Sequence, residues 1–238
     1  MKKTVVFCSV VVAIALIACA AILVKPNIVL RNGSGVRVKG TAVARVQSDA
    51  MAWSGSLDGE LKPTIKEAVC QVEKHAALAK ELFAKNKLDN VEFSTTRWFT
   101  TYKKVDGKET NEIEGYTASI YLSFKPKTLE QAKKLSECIG ELLKNNVSAY
   151  DNGTSYFYTK LESLKMQLLE KAAANAKERA QKLVSGSGSK LGGVISASQG
   201  VFQITPPLST NTSDWGTYDT TTYEKDVKCV VTMEFATK

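Results

Sequence analysis

Val36, Val38, Gly40, Ala42, Ala44 and Val46 alternate with Arg37, Lys39, Thr41 and Arg45. This period of two predicts a strand with one buried face. Gln47-Ser48-Asp49 carries turn chemistry, and Ala50 to Leu57, with Trp53, reads as a returning strand, so an opening β-hairpin is expected. Beyond Pro63 the period changes. Ile65, Val69, Val72, Ala76, Ala79 and Phe83 recur at steps of three and four and predict a helix from Thr64 to about Ala84.

Two further antiparallel strands are expected. One is Val91 to Tyr102; the other carries Tyr116, Ala118, Ile120, Leu122 and Phe124, and Asp106-Gly107 turns between them. Thr128-Leu129-Glu130-Gln131 matches a capping box and opens a second helix, with a stripe of Leu129, Ala132, Leu135, Ile139 and Leu142, to about Lys144. A long third helix is expected from about Ser155 to Val184, its apolar face running from Phe157 and Leu161 through Ala172, Ala176 and Ala180 to Leu183. Alanines at that spacing leave a narrow face to which a sheet or another helix can come close. Ser185-Gly186-Ser187-Gly188-Ser189 ends the helix. Val194 to Ile204 and Lys225 to Phe235 read as strands. Thr205 to Tyr223 is left as a long polar loop carrying Trp215 and Tyr218, a candidate contact loop. Hairpins interleaved with helices predict an α+β fold, not a doubly wound parallel sheet.

Ahead of this lies a different pattern. Lys2 and Lys3 precede an uncharged run, Thr4 to Val24, ended by Lys25 and Pro26. At ~1.5 Å per residue the run reaches about 30 Å, enough to cross a bilayer core. It is long for a cleaved signal, so residues 1–30 are read as an uncleaved signal anchor with a single transmembrane helix, and the leading lysines place residues 31–238 outside the cytoplasm. Leu16-Ile17-Ala18-Cys19 is similar to a bacterial lipobox, which would make Cys19 a lipidated first residue; ordinary cleavage is a third outcome. All three export the domain. The lipobox and the Lys-led anchor point to the bacterial inner membrane, with the bulk of the chain in the periplasm.

Composition narrows the chemistry. The chain has 238 residues and a formal net charge of +8. Lys2, Lys3 and Lys25 account for three of these charges, and the remaining +5 is spread along helices and not gathered into a basic face. Nucleic-acid binding is therefore not expected. One histidine, His75, on the margin of the first helix's stripe, excludes zinc sites of two or three imidazoles. Cys70, Cys138 and Cys229 lack CxxC spacing and are expected as small buried hydrophobes. No Gly-x-Ser-x-Gly elbow occurs. Gly186-Ser187-Gly188-Ser189-Lys190 runs from helix into strand, the reverse of a phosphate loop. Asp49 stands alone in its turn, so no catalytic residue, cofactor or metal site is expected.

Several segments resemble one family. Val36-Arg37-Val38-Lys39-Gly40-Thr41-Ala42 followed by Ser48-Asp49-Ala50 and Trp53, then Gly115-Tyr116-Thr117-Ala118-Ser119, resemble two of the motifs of the SIMPL-domain (DUF541) family. The alanine-spaced segment Ala172, Ala176, Ala180 with Gly188 and Leu191-Gly192 resembles a third, and the final strand through Cys229 and Phe235 a fourth. The resemblance implies an exported bacterial α+β domain, some of whose relatives form ring-like oligomers or are linked to stress responses. It carries no catalytic residues; Gly40, Asp49 and Tyr116 transfer only as motif positions. The combined expectation is a non-enzymatic, membrane-tethered envelope protein acting through self-association or protein binding, with stress protection as the role the resemblance implies. The alternative is a periplasmic small-molecule or lipid-binding module with a pocket under the 205–223 loop.

Overall fold

The computed structural model describes residues 35–238 and, ahead of them, Cys19. The expected membrane-spanning run, residues 4–24, lies outside the described residues apart from Cys19. Among the described residues no helix is long and apolar enough to cross a membrane.

The chain is an α+β protein of two sheets, one covered by a single helix and the other by two. In order, the elements are β1 (Gly35–Gln47), β2 (Ala50–Asp58), α1 (Ile65–Lys85), β3 (Glu92–Phe93), β4 (Arg97–Val105), β5 (Lys108–Phe124) and α2 (Leu129–Lys144). There follow β6 (Ala149–Phe157), α3 (Leu161–Ser185), β7 (Leu191–Gln199), β8 (Gln203–Thr205), β9 (Thr217–Tyr218) and β10 (Glu224–Thr237). The first sheet runs β1-β10-β8-β9, with β7 also on β10; the second runs β3-β5-β2-β6, with β4 also on β5. All pairings are antiparallel except β8 with β9.

The opening hairpin does not form. β1 and β2 lie in different sheets: β1 pairs with β10 along its whole length, and β2 with β5 and β6. The switch takes two residues: the Ser48 amide donates to Tyr223 O at 2.9 Å and the next amide, Asp49, to Phe157 O at 2.9 Å. A two-residue hairpin of the favoured type needs positive φ at both central residues. Neither Ser48 nor Asp49 has it, whereas Asp106 (φ 52°) and Gly107 (φ 76°) do, and β4 and β5 form the expected hairpin.

Helices α1 and α2 keep the expected bounds because their caps are local. Thr64 Oγ1 accepts from the Glu67 amide and Thr128 Oγ1 from the Gln131 amide, each at 3.2 Å. They cover the second sheet, whose core gathers Trp53, Leu57, Val72, Phe83, Leu122, Leu135 and Leu142. The third helix starts later than expected. Residues 149–157 form β6 against β2, and the helix begins at Leu161 after a cap without a side-chain hydrogen bond. Polar Asp151-Asn152-Gly153 hides this strand from a hydrophobic pattern, but Asp151 is a partner, accepting Trp53 Nε1–H at 2.8 Å. Two other expected strands are split: Val91 to Tyr102 into β3 and β4, and Val194 to Ile204 into β7 and β8.

Helix α3 lies over β1 and β10 and closes the second core of Val38, Leu168, Ala172, Ala176, Ala180, Val227, Cys229 and Phe235. Gly40 makes the approach possible: a Cβ there would lie 2.1 Å from Ala172 O and 2.6 Å from Ala176 N. The strand therefore touches the helix backbone itself. Leu183 does not belong to this face; it is 60% exposed, and Val184 takes the buried place. The alanine face is filled by the protein's own sheet, so it offers nothing to a partner.

Candidate functional site

The segment between β8 and β10 has the most built frame outside the two cores. Strand β8 is buried throughout, and Pro206-Pro207 ends it because proline has no amide to donate. Gln203, buried, then brackets the loop from within. Its Nε2 donates to Ser213 O at 2.6 Å, and its Oε1 accepts from the Ser213 amide at 3.2 Å and from Thr217 Oγ1 at 2.9 Å.

The loop's return is fixed by Asp219 and Lys225. Lys225 is 1% exposed, and its Nζ donates to Asp219 Oδ2 at 3.0 Å and to Thr222 O at 2.7 Å. Asp219 also accepts from the amides and hydroxyls of Thr221 and Thr222. Burial pulls its pKa upward, but these donors and the Lys225 ammonium outweigh burial and hold the carboxyl well below the usual range. At the start of the loop, the Leu208 amide donates to Asp226 Oδ2 at 3.1 Å. Asp226 in turn forms a two-point pair with Arg45 at 2.8 and 3.0 Å. Hydrogen bonds from the Arg45 guanidinium, and then from the Leu208 amide, hold Asp226 low against burial. The base of the loop reaches the second sheet, where the Tyr156 amide donates to Thr220 O at 2.8 Å and the Tyr156 and Tyr223 rings meet edge to face at 6.0 Å.

This frame displays apolar side chains outward. Trp215 is 94% exposed, Leu208 85% and Tyr218 49%. Leu208 is held at φ 62°, a backbone region costly for a branched side chain. Open grooves of about 420 to 450 Å³ lie elsewhere, at the C-terminal end of α3, between β1 and α3, and beside the start of α1; none of these three is lined by the loop.

The remaining positions singled out by sequence are scattered and structural. Asp49 accepts from the Thr159 amide at 2.7 Å and the Thr159 hydroxyl at 2.9 Å, joining the sheet switch to the start of α3. Burial acts upward on its pKa, and these bonds bring it below the ordinary value. Trp53 is buried, its ring over Gly55. Tyr116 pairs through its backbone with Lys62, and its ring meets Trp98 at 6.2 Å. Ala42 packs at the margin of the α3 core. Gly188 sits at φ 76° beyond α3, and Gly192 lies against Ala236. Cys19, the lipidation candidate, is exposed.

Cys138 and Cys229 are buried, but Cys70 is exposed, contrary to the expectation for all three. Cys70 follows Val69 on α1, one step past the buried stripe. His75 is half-buried, with Nδ1 lacking a partner. Among the described residues no cluster of three His, Cys, Asp or Glu side chains is arranged to hold a metal.

Sequence reasoning missed Gln203, Asp219 and Lys225. Lys225 did leave a signal. It falls in phase with Val227, Cys229 and Val231, the buried face of β10, where an unpaired lysine is not tolerated.

Two mainly antiparallel sheets, one faced by α1 and α2 and the other by α3, with β1 and β2 passing from one to the other, define the class as an α+β protein. The model of the SIMPL family, described as a protein of unknown function (DUF541), matches residues 36–235. The chain belongs to that family. No curated protein matches it.

Proposed function

We propose that this is a non-enzymatic protein of the bacterial envelope, tethered to the inner membrane by residues 4–24 with its folded part in the periplasm. It acts by contact, through self-association or by holding another envelope protein. The observation that carries this reading is the display of Trp215 and Leu208, at 94% and 85% exposure, on a loop braced by Gln203 and by the Asp219–Lys225 pair. Exposed aromatic side chains, here Trp215 and Tyr218, are the residues that most often anchor a binding hot spot, and a hydrogen-bonded loop loses little freedom on contact. The tether raises the local concentration of copies and of other membrane-bound partners.

The test is the mass of the detergent-solubilised full-length chain, intact by mass spectrometry and as an assembly by light scattering. The expected result is an oligomer or a stable hetero-complex that retains residues 1–24 and is weakened in a W215A/L208S variant. A strict monomer at micromolar concentration, together with wild-type behaviour of W215A/L208S in cells, would overturn the reading.

A further inference from the structure

One end of the first sheet is cationic, and it is the end at which the chain leaves for residue 24. The register puts Gly35 beside Ala236, and on the other side of β10 Leu191 beside Thr237. Helix α3 ends over the same strands, where an Arg179 guanidinium N–H donates to Lys39 O at 3.0 Å. Arg37, Val38, Lys39, Arg179, Lys182 and Leu183 line an open groove of about 450 Å³, and the adjoining groove of about 420 Å³ adds Lys190. No carboxylate lines either groove. Two acids stand close to these cations: Glu178, paired with Lys182 at 2.7 Å, and Glu234, across from Arg37. Leu183 stands 60% exposed among these cations. At the opposite end of the same strands Arg45 is paired with Asp226 at 2.8 Å, and the second acid, Glu224, accepts from the neutral Gln47 amide.

Residues 25–34 are all that separate the apolar run from Gly35, and they include Lys25 and Arg31. At ~3.3–3.6 Å per residue those ten residues reach at most about 36 Å, so an embedded run keeps this end near the bilayer. We infer that the β1/α3 end, with Arg37, Lys39, Arg179 and Lys182 around Leu183, docks on the anionic headgroup layer of the membrane that holds residues 4–24. This inference rests on the tethered reading above. The cations attract the lipid phosphates over about a Debye length, ~10 Å at 0.1 M salt, and Leu183 supplies the apolar contact beneath them.

The test uses the full chain in nanodiscs of phosphatidylcholine alone or with added phosphatidylglycerol, read by amide hydrogen exchange. Peptides covering 37–39 and 181–190 are expected to exchange about tenfold more slowly on the anionic discs, since Glu178 and Glu234 offset part of the attraction of the four cations. The difference should vanish at high salt and in a K39E/K182E variant, while peptides of β10 keep their protection and report an intact fold. Equal exchange on both discs, with the chain still disc-bound, would overturn the docking surface and leave the tether standing. A chain that does not stay with the discs would overturn the tether and the docking surface together.

Discussion

Lys225 Nζ lies 3.0 Å from Asp219 Oδ2, and the two side chains are 1% and 8% exposed. The pair closes the loop that presents Trp215, so removing one partner acts on the core and on the surface together. Lys225→Met leaves the Asp219 carboxylate buried without its ammonium and is expected to cost about 3 kcal/mol, the lower end for breaking a buried pair because four threonine donors remain. Urea denaturation monitored by circular dichroism measures it. An unchanged midpoint would show that the threonines alone satisfy Asp219.

The same pair sets an acid limb. Asp219 titrates below its unfolded value, so the unfolded chain takes up the proton first as pH falls. Its contribution is therefore fully present above the unfolded carboxyl value of ~3.9 and is lost as pH falls below that toward the folded value. Asp226 and Asp49 are shifted the same way and steepen the limb. In a series of urea midpoints against pH, Asp219→Asn should be less stable than the wild type at neutral pH and fall less steeply below about pH 4.

Gly40 and Gly140 form a matched pair of tests. A Cβ at Gly40 would strike the α3 backbone at 2.1 Å, and neither strand nor helix can yield locally. Gly40→Ala should cost at least about 3 kcal/mol by overpacking. Gly140, inside α2, has nothing within 4 Å of a built Cβ. Gly140→Ala should stabilise by about 0.5 to 1 kcal/mol through helix propensity and lost unfolded-state freedom. Thermal melts of the two variants should move in opposite directions.

The display loop separates stability from contact. Trp215→Ala should leave the unfolding free energy within about 0.5 kcal/mol, since the ring touches so little of its own chain. Gln203→Leu removes three hydrogen bonds inside the loop and should cost about 1 to 3 kcal/mol, with faster proteolysis between 207 and 216. Similar losses in both variants would mean that Trp215 is packed, not displayed.

Thiol reactivity should separate by burial. Cys70 is exposed, while burial raises the thiol pKa of both Cys138 and Cys229. Maleimide labelling of the native chain followed by peptide mapping should modify Cys70 within minutes and reach Cys138 and Cys229 only in denaturant.

Local signals explain what the sequence disclosed. The caps at Thr64 and Thr128 and the Asp106-Gly107 turn act within four residues of themselves, and the elements they bound appear where the pattern puts them. The alternation along β1 and β10 likewise identified strands, because each has one face on α3. Pairing was another matter. Val36 to Val46 looks the same whether its partner is eight residues away or, as here, almost the whole chain away at β10. Strand β6 was hidden because Asp151, Asn152 and Gly153 are polar for reasons found only in three dimensions, such as the bond to Trp53. Trp215 was visible as an aromatic in a polar loop, whereas its frame was not. Gln203 and Asp219 bond to residues whose proximity follows from the fold of the loop itself.

The two-residue passage from β1 to β2 has a consequence for synthesis. The first strand to emerge is the last to find its neighbour, since β10 holds the final residues of the sheet. The second sheet takes all its strands from residues 50–157 and can close while the C-terminus is still being made. Until then β1, 13 residues long with both edges unsatisfied, is the segment most open to pairing with a neighbouring nascent chain. Only when the last strand is made does the first gain its partner, and even then its outer edge stays open among the described residues.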